Sequence, residues 1–158
     1  MSDVEETREQ RVHRELNQLL GELRVALPGV QVLFAFLLTV PFASGYDRLD
    51  PSDRRVYFAA VLLSALATIF LIAPTAHHRM TFRQGVDIKE RVLMIANALT
   101  LAGTVVLALA MGAVVYVVTN VLYRSAMAAV VAAALVVLTS VLWFVVPIVV
   151  RRGQRAES

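Results

Sequence analysis

Four long stretches without a charged side chain limit what this chain can fold into. They cover residues 25–46, 56–78, 92–123 and 125–150. A helix that crosses the hydrocarbon core of a bilayer needs about 20 mostly apolar residues, so each stretch allows one crossing and none allows two. The sequence predicts spans over about 26–45, 56–76, 92–119 and 126–150. The expected fold is all-α: a four-helix transmembrane bundle in a single domain, residues 1–158.

The composition supports an integral membrane protein. Hydrophobic residues make up 58% of the chain, mean hydropathy is +0.69, and charged residues make up 17%, against about 25% in soluble domains. The absence of cysteine excludes disulfides, thiolate metal sites and thiol redox chemistry. The first residues are charged and form no cleavable signal peptide, so the first span is expected to direct insertion.

The distribution of Arg and Lys predicts the orientation. Eleven of these fifteen residues lie in the N-terminal segment, in the loop 77–91 and in the tail 151–158, and four lie on the other side. Basic residues concentrate in cytoplasmic loops, so both termini are predicted to be cytoplasmic. Lys89 is the one lysine, a bias typical of a GC-rich bacterial genome, which predicts the inner (plasma) membrane of a bacterium. The pI near 9.8 then reflects contact with anionic lipid and not with nucleic acid.

Residues 7–24 are predicted to form an amphipathic helix before the first span. Apolar residues recur there at the three- and four-residue spacing of one helix face: Val12, Leu16, Leu19, Leu20, Leu23 and Leu27. Such a helix lies in the membrane interface or packs on a partner helix. Pro28–Gly29 is predicted to bend the chain between this helix and the first span.

Polar side chains inside the predicted spans are the candidates for a pathway. Asn97, Thr100 and Thr104 form a polar stripe on helix three, and Gln31 on helix one is expected at a similar depth. An interhelical hydrogen bond, the lining of a hydrated pathway and ligand binding all remain open for Gln31 and Asn97. Ionisable residues mark ion pathways within membranes. None is expected deep in a span, which counts against a proton-coupled antiporter.

His77, His78 and Arg79 mark the cytoplasmic edge of helix two. Adjacent residues on a helix point about 100° apart, so the two histidines are poorly placed to bind one metal ion. Contact with headgroups or backbone carbonyls, a pH-responsive contact and a metal site remain alternatives. The first is favoured, and neither a metal nor a cofactor is expected.

Two further patterns concern packing and chemistry. Small residues four apart, at Ala108/Gly112, Ala128/Ala132 and Ala129/Ala133, let helices approach closely, either within the chain or in a homo-oligomer. The external loop "SGYDRLDPSDRR" is interpreted as a solvated turn, with Asp50–Ser52 starting helix two. No nucleophile motif, P-loop or acidic metal cluster is present, so no catalytic residue is assigned and the protein is not expected to be an enzyme.

Two stretches carry a resemblance to a known family: "LNQLLGELRVALPGVQVLFAFLLTVPF" and "APTAHHRMTFRQG". They resemble short, uncharacterised actinobacterial membrane proteins with four spans, and the resemblance covers most of the chain. Some members carry a sodium:proton antiporter label. The resemblance implies a membrane protein and supplies no catalytic residue.

These patterns lead to two functional hypotheses. The first is a subunit of an oligomeric ion channel or transporter, related to cations or protons, because four helices rarely enclose a pathway alone. The alternative is a non-transporting scaffold or accessory subunit that docks a membrane protein partner through its N-terminal helix and basic loop. In both hypotheses the bilayer is the immediate environment.

Overall fold

The computed structural model describes residues 8–81, 86–123 and 126–145. These residues contain no strand and form four helices: α1 (Arg8–Thr39), α2 (Pro51–Thr81), α3 (Val86–Tyr123) and α4 (Met127–Ser140). Two 3₁₀ turns, Val40–Phe42 and Tyr46–Arg48, join α1 to α2, and a π-helical turn, Val141–Val145, follows α4. The predicted all-α bundle is confirmed.

Helix α1 contains both the predicted amphipathic segment and the first span. Pro28 lies inside it, so the helix does not end at the predicted bend. Its apolar stripe faces the bundle, because Leu23 shares a core cluster with Leu71 of α2 and Ala96 of α3. Packing on a partner helix, one of the two predicted placements, is observed, and the partner helices belong to the same chain. The buried positions repeat every three, four or seven residues: Val12, Leu16, Leu19, Leu23, Val30 and Leu37.

Helix α2 starts where the sequence predicts. The Arg54 amide donates to the Asp50 carbonyl at 3.0 Å, and Pro51 occupies the first helical position, where its missing amide hydrogen costs nothing. The inward face of α2 follows a three- and four-residue repeat that begins at its first turn: Asp53, Tyr57, Ala60, Ser64, Ala67 and Leu71.

Two glycines of α3 allow its neighbours to approach closely. A Cβ built at Gly103 would lie 2.9 Å from Leu71 Cδ2, and a methyl group at Gly112 would overlap the Val136 side chain of α4. Real Cβ atoms do not sustain such distances, so a larger residue at either position would force Leu71 or Val136 to shift. The close packing predicted from the Ala108/Gly112 spacing therefore occurs within the chain.

The bundle has two core clusters, which lie towards opposite ends. One contains Leu19, Leu23, Val30, Ala67, Leu71 and Ala96, and we call it the Leu23 end. The other contains Leu37, Leu49, Tyr57, Ala60 and Val117, and we call it the Tyr57 end. Helix α2 packs along α3, α1 packs on both, and α4 packs on α3.

Three helices among the described residues are long and apolar enough to cross a membrane: Gln10–Phe42, Pro51–Ala76 and Arg91–Tyr123. Large apolar side chains point outward from them, including Phe42 at 90% and Leu122 at 69% exposure, as expected for a surface solvated by lipid. The apolar helix Met127–Trp143 is shorter. The fourth predicted span, 126–150, continues beyond the described residues and stays a prediction, as does the tail 151–158.

Candidate functional site: a polar groove on α3 and a buried carboxylate

Three of the four pathway candidates line one groove. Asn97, Thr100 and Thr104 lie on the same face of α3, with Leu101 between them and Trp143 opposite, around a volume of about 290 Å³. Trp143 belongs to the π-helical turn that follows α4. Such turns interrupt the regular helical spacing and are frequent at functional sites. We call this space the α3/α4 groove.

The two threonines present oxygen acceptors and no free hydroxyl hydrogen. Thr100 donates to the Ala96 carbonyl at 2.9 Å, and Thr104 donates to the Leu101 carbonyl at 2.8 Å. This back-bonding to the helix is the behaviour expected of threonine in a transmembrane helix. It uses the hydrogen and leaves lone pairs on each oxygen, so the hydroxyls can serve a cation or a hydrogen-bond donor.

Asn97 also borders a second groove, between α3 and the first half of α1. Two carboxylates, Glu15 and Glu22, line it together with Gln18. Leu93 and Met94 of α3 form part of its wall, and its volume is about 520 Å³. Glu15 and Glu22 are seven residues apart, so they lie on the same helix face about 10 Å from each other. We call this space the α1/α3 groove.

Gln31 lies outside both grooves. Its side chain is exposed, whereas its neighbour Val30 is buried. A similar depth placed Gln31 beside Asn97 in the sequence prediction, but depth does not determine the direction in which a side chain leaves the helix. The structure therefore brings together Asn97, Thr100 and Thr104 without Gln31.

The predicted edge residues His77, His78 and Arg79 lie on α2, which continues to Thr81. Their side chains are outside the described residues. The alternatives for the two histidines therefore stay predictions. Within the described parts of the chain, no three His, Cys, Asp or Glu residues are grouped to hold a metal ion.

Asp53 is the residue that the sequence interpretation missed. It was assigned to a solvated turn, but its side chain is only 3% exposed. Asn120 Nδ2 donates to Asp53 Oδ1 at 2.9 Å, which joins the first turn of α2 to the last turn of α3. The helical spacing identifies it, because Asp53, Tyr57 and Ala60 lie four and three residues apart on the buried face of α2. The turn assignment is corrected for this position.

Aromatic and cationic side chains surround the same end of the bundle. The Tyr57 hydroxyl donates to the Leu37 carbonyl near the end of α1, and the Tyr46 ring packs edge-on against Tyr57 at 5.7 Å. Arg54 lies 5.1 Å from the Tyr46 ring centre and donates from Nε to the Leu49 carbonyl at 3.2 Å. Side-chain hydrogen bonds thus connect α2 to both α1 and α3 at the Tyr57 end.

The sequence also matches a protein-family model over residues 5–147, and the family is described as one of unknown function, DUF6328. The chain belongs to this family. No curated protein and no solved structure matches it. The predicted membership of an uncharacterised family is confirmed for this DUF6328 chain, whereas an actinobacterial origin and an antiporter label stay predictions.

The buried carboxylate changes one argument about this DUF6328 protein. The sequence predicts no ionisable group deep within a span, and this prediction counts against proton-coupled exchange. Asp53 lies in the first turn of a helix long enough to span a membrane and is enclosed by protein. Burial of a carboxylate inside protein is costly unless it is hydrogen-bonded, and Asn120 supplies one donor. Asp53 is therefore a second candidate site, separate from the α3/α4 groove.

Proposed function

We propose that this membrane protein is a subunit of a homo-oligomeric channel or transporter for cations or protons, and that it performs no enzymatic chemistry. One observation carries the proposal: Asn97, Thr100 and Thr104 line a single groove that is open on one side. The two threonine hydroxyls donate to their own helix, but a monomer would leave the Asn97 amide facing lipid, where an unsatisfied polar group is costly. A second subunit placed over the groove would enclose a polar path.

The chemistry of the groove favours cations. The threonine oxygens have acceptor capacity left after their internal hydrogen bonds, and the Asn97 amide adds a carbonyl oxygen. Glu15 and Glu22 in the adjoining α1/α3 groove add negative charge, which raises the local cation concentration. Oxygen ligands of this kind suit hard monovalent or divalent cations.

An outward face of α4 is suited to contact between subunits. Ala128 is buried against the bundle, whereas Ala129 and Ala133 are exposed. Small residues four apart on an exposed transmembrane face allow a second helix to approach closely. We infer an orientation with both termini in the cytoplasm of a bacterium, supported by the bias of Arg and Lys.

The test is ion flux into liposomes that contain the purified protein, followed with a pH-sensitive dye under imposed sodium or potassium gradients. Asn97→Leu should abolish flux that the native protein supports. Gln31→Leu is the matched control, because it also replaces an amide by an apolar side chain but lies outside the groove. Loss of flux in Gln31→Leu alone would place the pathway elsewhere. No flux from folded native protein would refute transport.

The second candidate is a non-transporting scaffold. The α1/α3 groove favours it, because a groove with two carboxylates and an apolar wall suits docking of a basic amphipathic helix. Crosslinking in native membranes tests it: a scaffold should yield a reproducible partner protein, and that adduct should disappear in Glu15→Lys/Glu22→Lys. Crosslinks between copies of this chain alone would instead support the homo-oligomeric channel.

A further inference from the structure

The α1/α3 groove and the α3/α4 groove meet at Asn97, which lines both. Glu15, Gln18 and Glu22 therefore lie on one side of Asn97 and Trp143 lies on the other. No Arg or Lys is found among the described residues that line the α1/α3 groove. Two carboxylates thus share a groove without a described cation, in a chain with net charge +3.

The chain that follows Trp143 supplies the complementary charge. Its sequence beyond the described residues contains Arg151, Arg152 and Arg155. Arg151 is eight positions after Trp143, which corresponds to about 12 Å at helical rise and to at most roughly 29 Å when extended. The α1/α3 groove begins at Asn97, which shares the α3/α4 groove with Trp143. Helices α1 and α4 both pack on α3, and a helix is about 10–12 Å wide, so a segment that leaves the helical conformation is long enough to cross α3 to Glu15 and Glu22.

We propose that the C-terminal segment 151–155 docks in the α1/α3 groove of its own chain, with its arginines paired to Glu15 and Glu22. Guanidinium groups form charge-assisted, two-pronged hydrogen bonds with carboxylates, and the aliphatic part of arginine can cover the apolar wall at Leu93 and Met94. The contact connects the end of the chain to α1 across α3. Pairing would neutralise Glu15 and Glu22, so in the docked state the cation preference of the α3/α4 groove would rest on its own oxygen atoms.

Two other destinations compete for the segment. Anionic headgroups attract juxtamembrane arginines, in which case the tail would lie on the bilayer surface. The second competing destination is the α1/α3 groove of another copy of the chain, because a homo-oligomer would bring a second pair of carboxylates close to the segment. Each of these destinations predicts a different disulfide product in a trapping experiment.

The lack of cysteine in the native chain makes disulfide trapping specific. Gln18→Cys places a thiol between the two glutamates, and Gly153→Cys places one beside Arg152, so all charged partners are kept. Asn17→Cys with Gly153→Cys is the matched control: Asn17 and Gln18 are adjacent, exposed amides on α1, but only Gln18 lines the groove. The full-length variants are oxidised in membranes and run on a non-reducing gel.

The proposal predicts that a disulfide forms within the monomer, with a yield roughly fivefold higher in the Gln18→Cys pair than in the Asn17→Cys pair. The ratio of these two yields should fall towards one in the Glu15→Gln/Glu22→Gln background or at high salt. Equal yields from the two pairs would place the tail on the lipid surface and overturn it. A dimer band without the monomer product would assign the groove to a second copy and also overturn it. A ratio unaffected by Glu15→Gln/Glu22→Gln would refute the ionic pairing.

Discussion

The two ends of the bundle are held by different interactions. At the Tyr57 end, side-chain hydrogen bonds connect three helices: Tyr57 to the Leu37 carbonyl and Asn120 to Asp53. At the Leu23 end, the described core consists of leucine, valine and alanine, and the carboxylates Glu15 and Glu22 line an open groove beside it. Hydrogen bonds add direction to packing, whereas interdigitated apolar side chains hold helices together by shape, as in the close approach of Gly103 to Leu71. The described contacts of the Tyr57 end are therefore directional as well as apolar, whereas those of the core at the Leu23 end are apolar.

The largest expected effect tests the apolar packing of the Leu23 end. Leu71→Ala should lower the free energy of unfolding by about 2–5 kcal/mol, because Leu71 is fully buried and a cavity would remain. Ile69→Ala on the exposed face of the same helix is the control and should have a much smaller effect. Thermal unfolding in detergent, followed by circular dichroism, measures both. Equal losses would mean that α2 is not packed as described.

The next prediction tests the polar contact of the Tyr57 end. Asn120→Leu should destabilise the protein by about 1.5–3 kcal/mol, because it leaves the buried Asp53 carboxylate without its hydrogen-bond donor. The double variant Asp53→Leu/Asn120→Leu should recover most of that loss, since it removes both polar groups. Additive losses in the same unfolding experiment would contradict a direct interaction between the two side chains.

Substitutions at two glycines, Gly103 and Gly21, test how closely α3 approaches α2. Gly103→Ala should destabilise by about 1–3 kcal/mol through overlap with Leu71. Gly21→Ala is the matched control within a helix, because nothing lies within 4 Å of the added methyl group. It should stabilise by about 0.5–1 kcal/mol. If both substitutions shift the melting temperature upward, the packing at Gly103 is looser than described.

The smallest expected effect tests the bond between α2 and α1. Tyr57→Phe keeps the ring against Tyr46 and removes only the donor to the Leu37 carbonyl, so the expected loss is about 0.5–1.5 kcal/mol. Hydrogen exchange should also accelerate near residues 37–42 while residues 19–23 stay unchanged. Uniform acceleration in α1 would show that the two ends are not independent.

The sequence predicted the helices better than their lateral arrangement. Uncharged stretches located the helices, and the spacing of Leu16, Leu19 and Leu23 correctly identified the buried face of α1. The predicted third span ends at residue 119, whereas α3 continues to Tyr123, because hydropathy marks an apolar stretch and not the backbone hydrogen bonds that end a helix.

The candidate site was partly predictable for the same reason. Asn97, Thr100 and Thr104 share a helix, so their common face follows from helical geometry alone. Trp143, Glu15 and Glu22 join them only through the packing of α4 and α1 on α3. Asp53 looked like a turn residue because it is charged and follows a proline, and its burial depends on α3 passing beside it.

The continuity of α1 has a consequence for how the protein is made. Helix α1 is synthesised before α2 and α3, so Leu23 meets its core partners only after Leu71 and then Ala96 have been synthesised. Until then its apolar stripe needs a temporary neighbour, which the headgroup layer of the membrane can provide. Helix α1 is therefore packed late in biogenesis, when α3 closes over it.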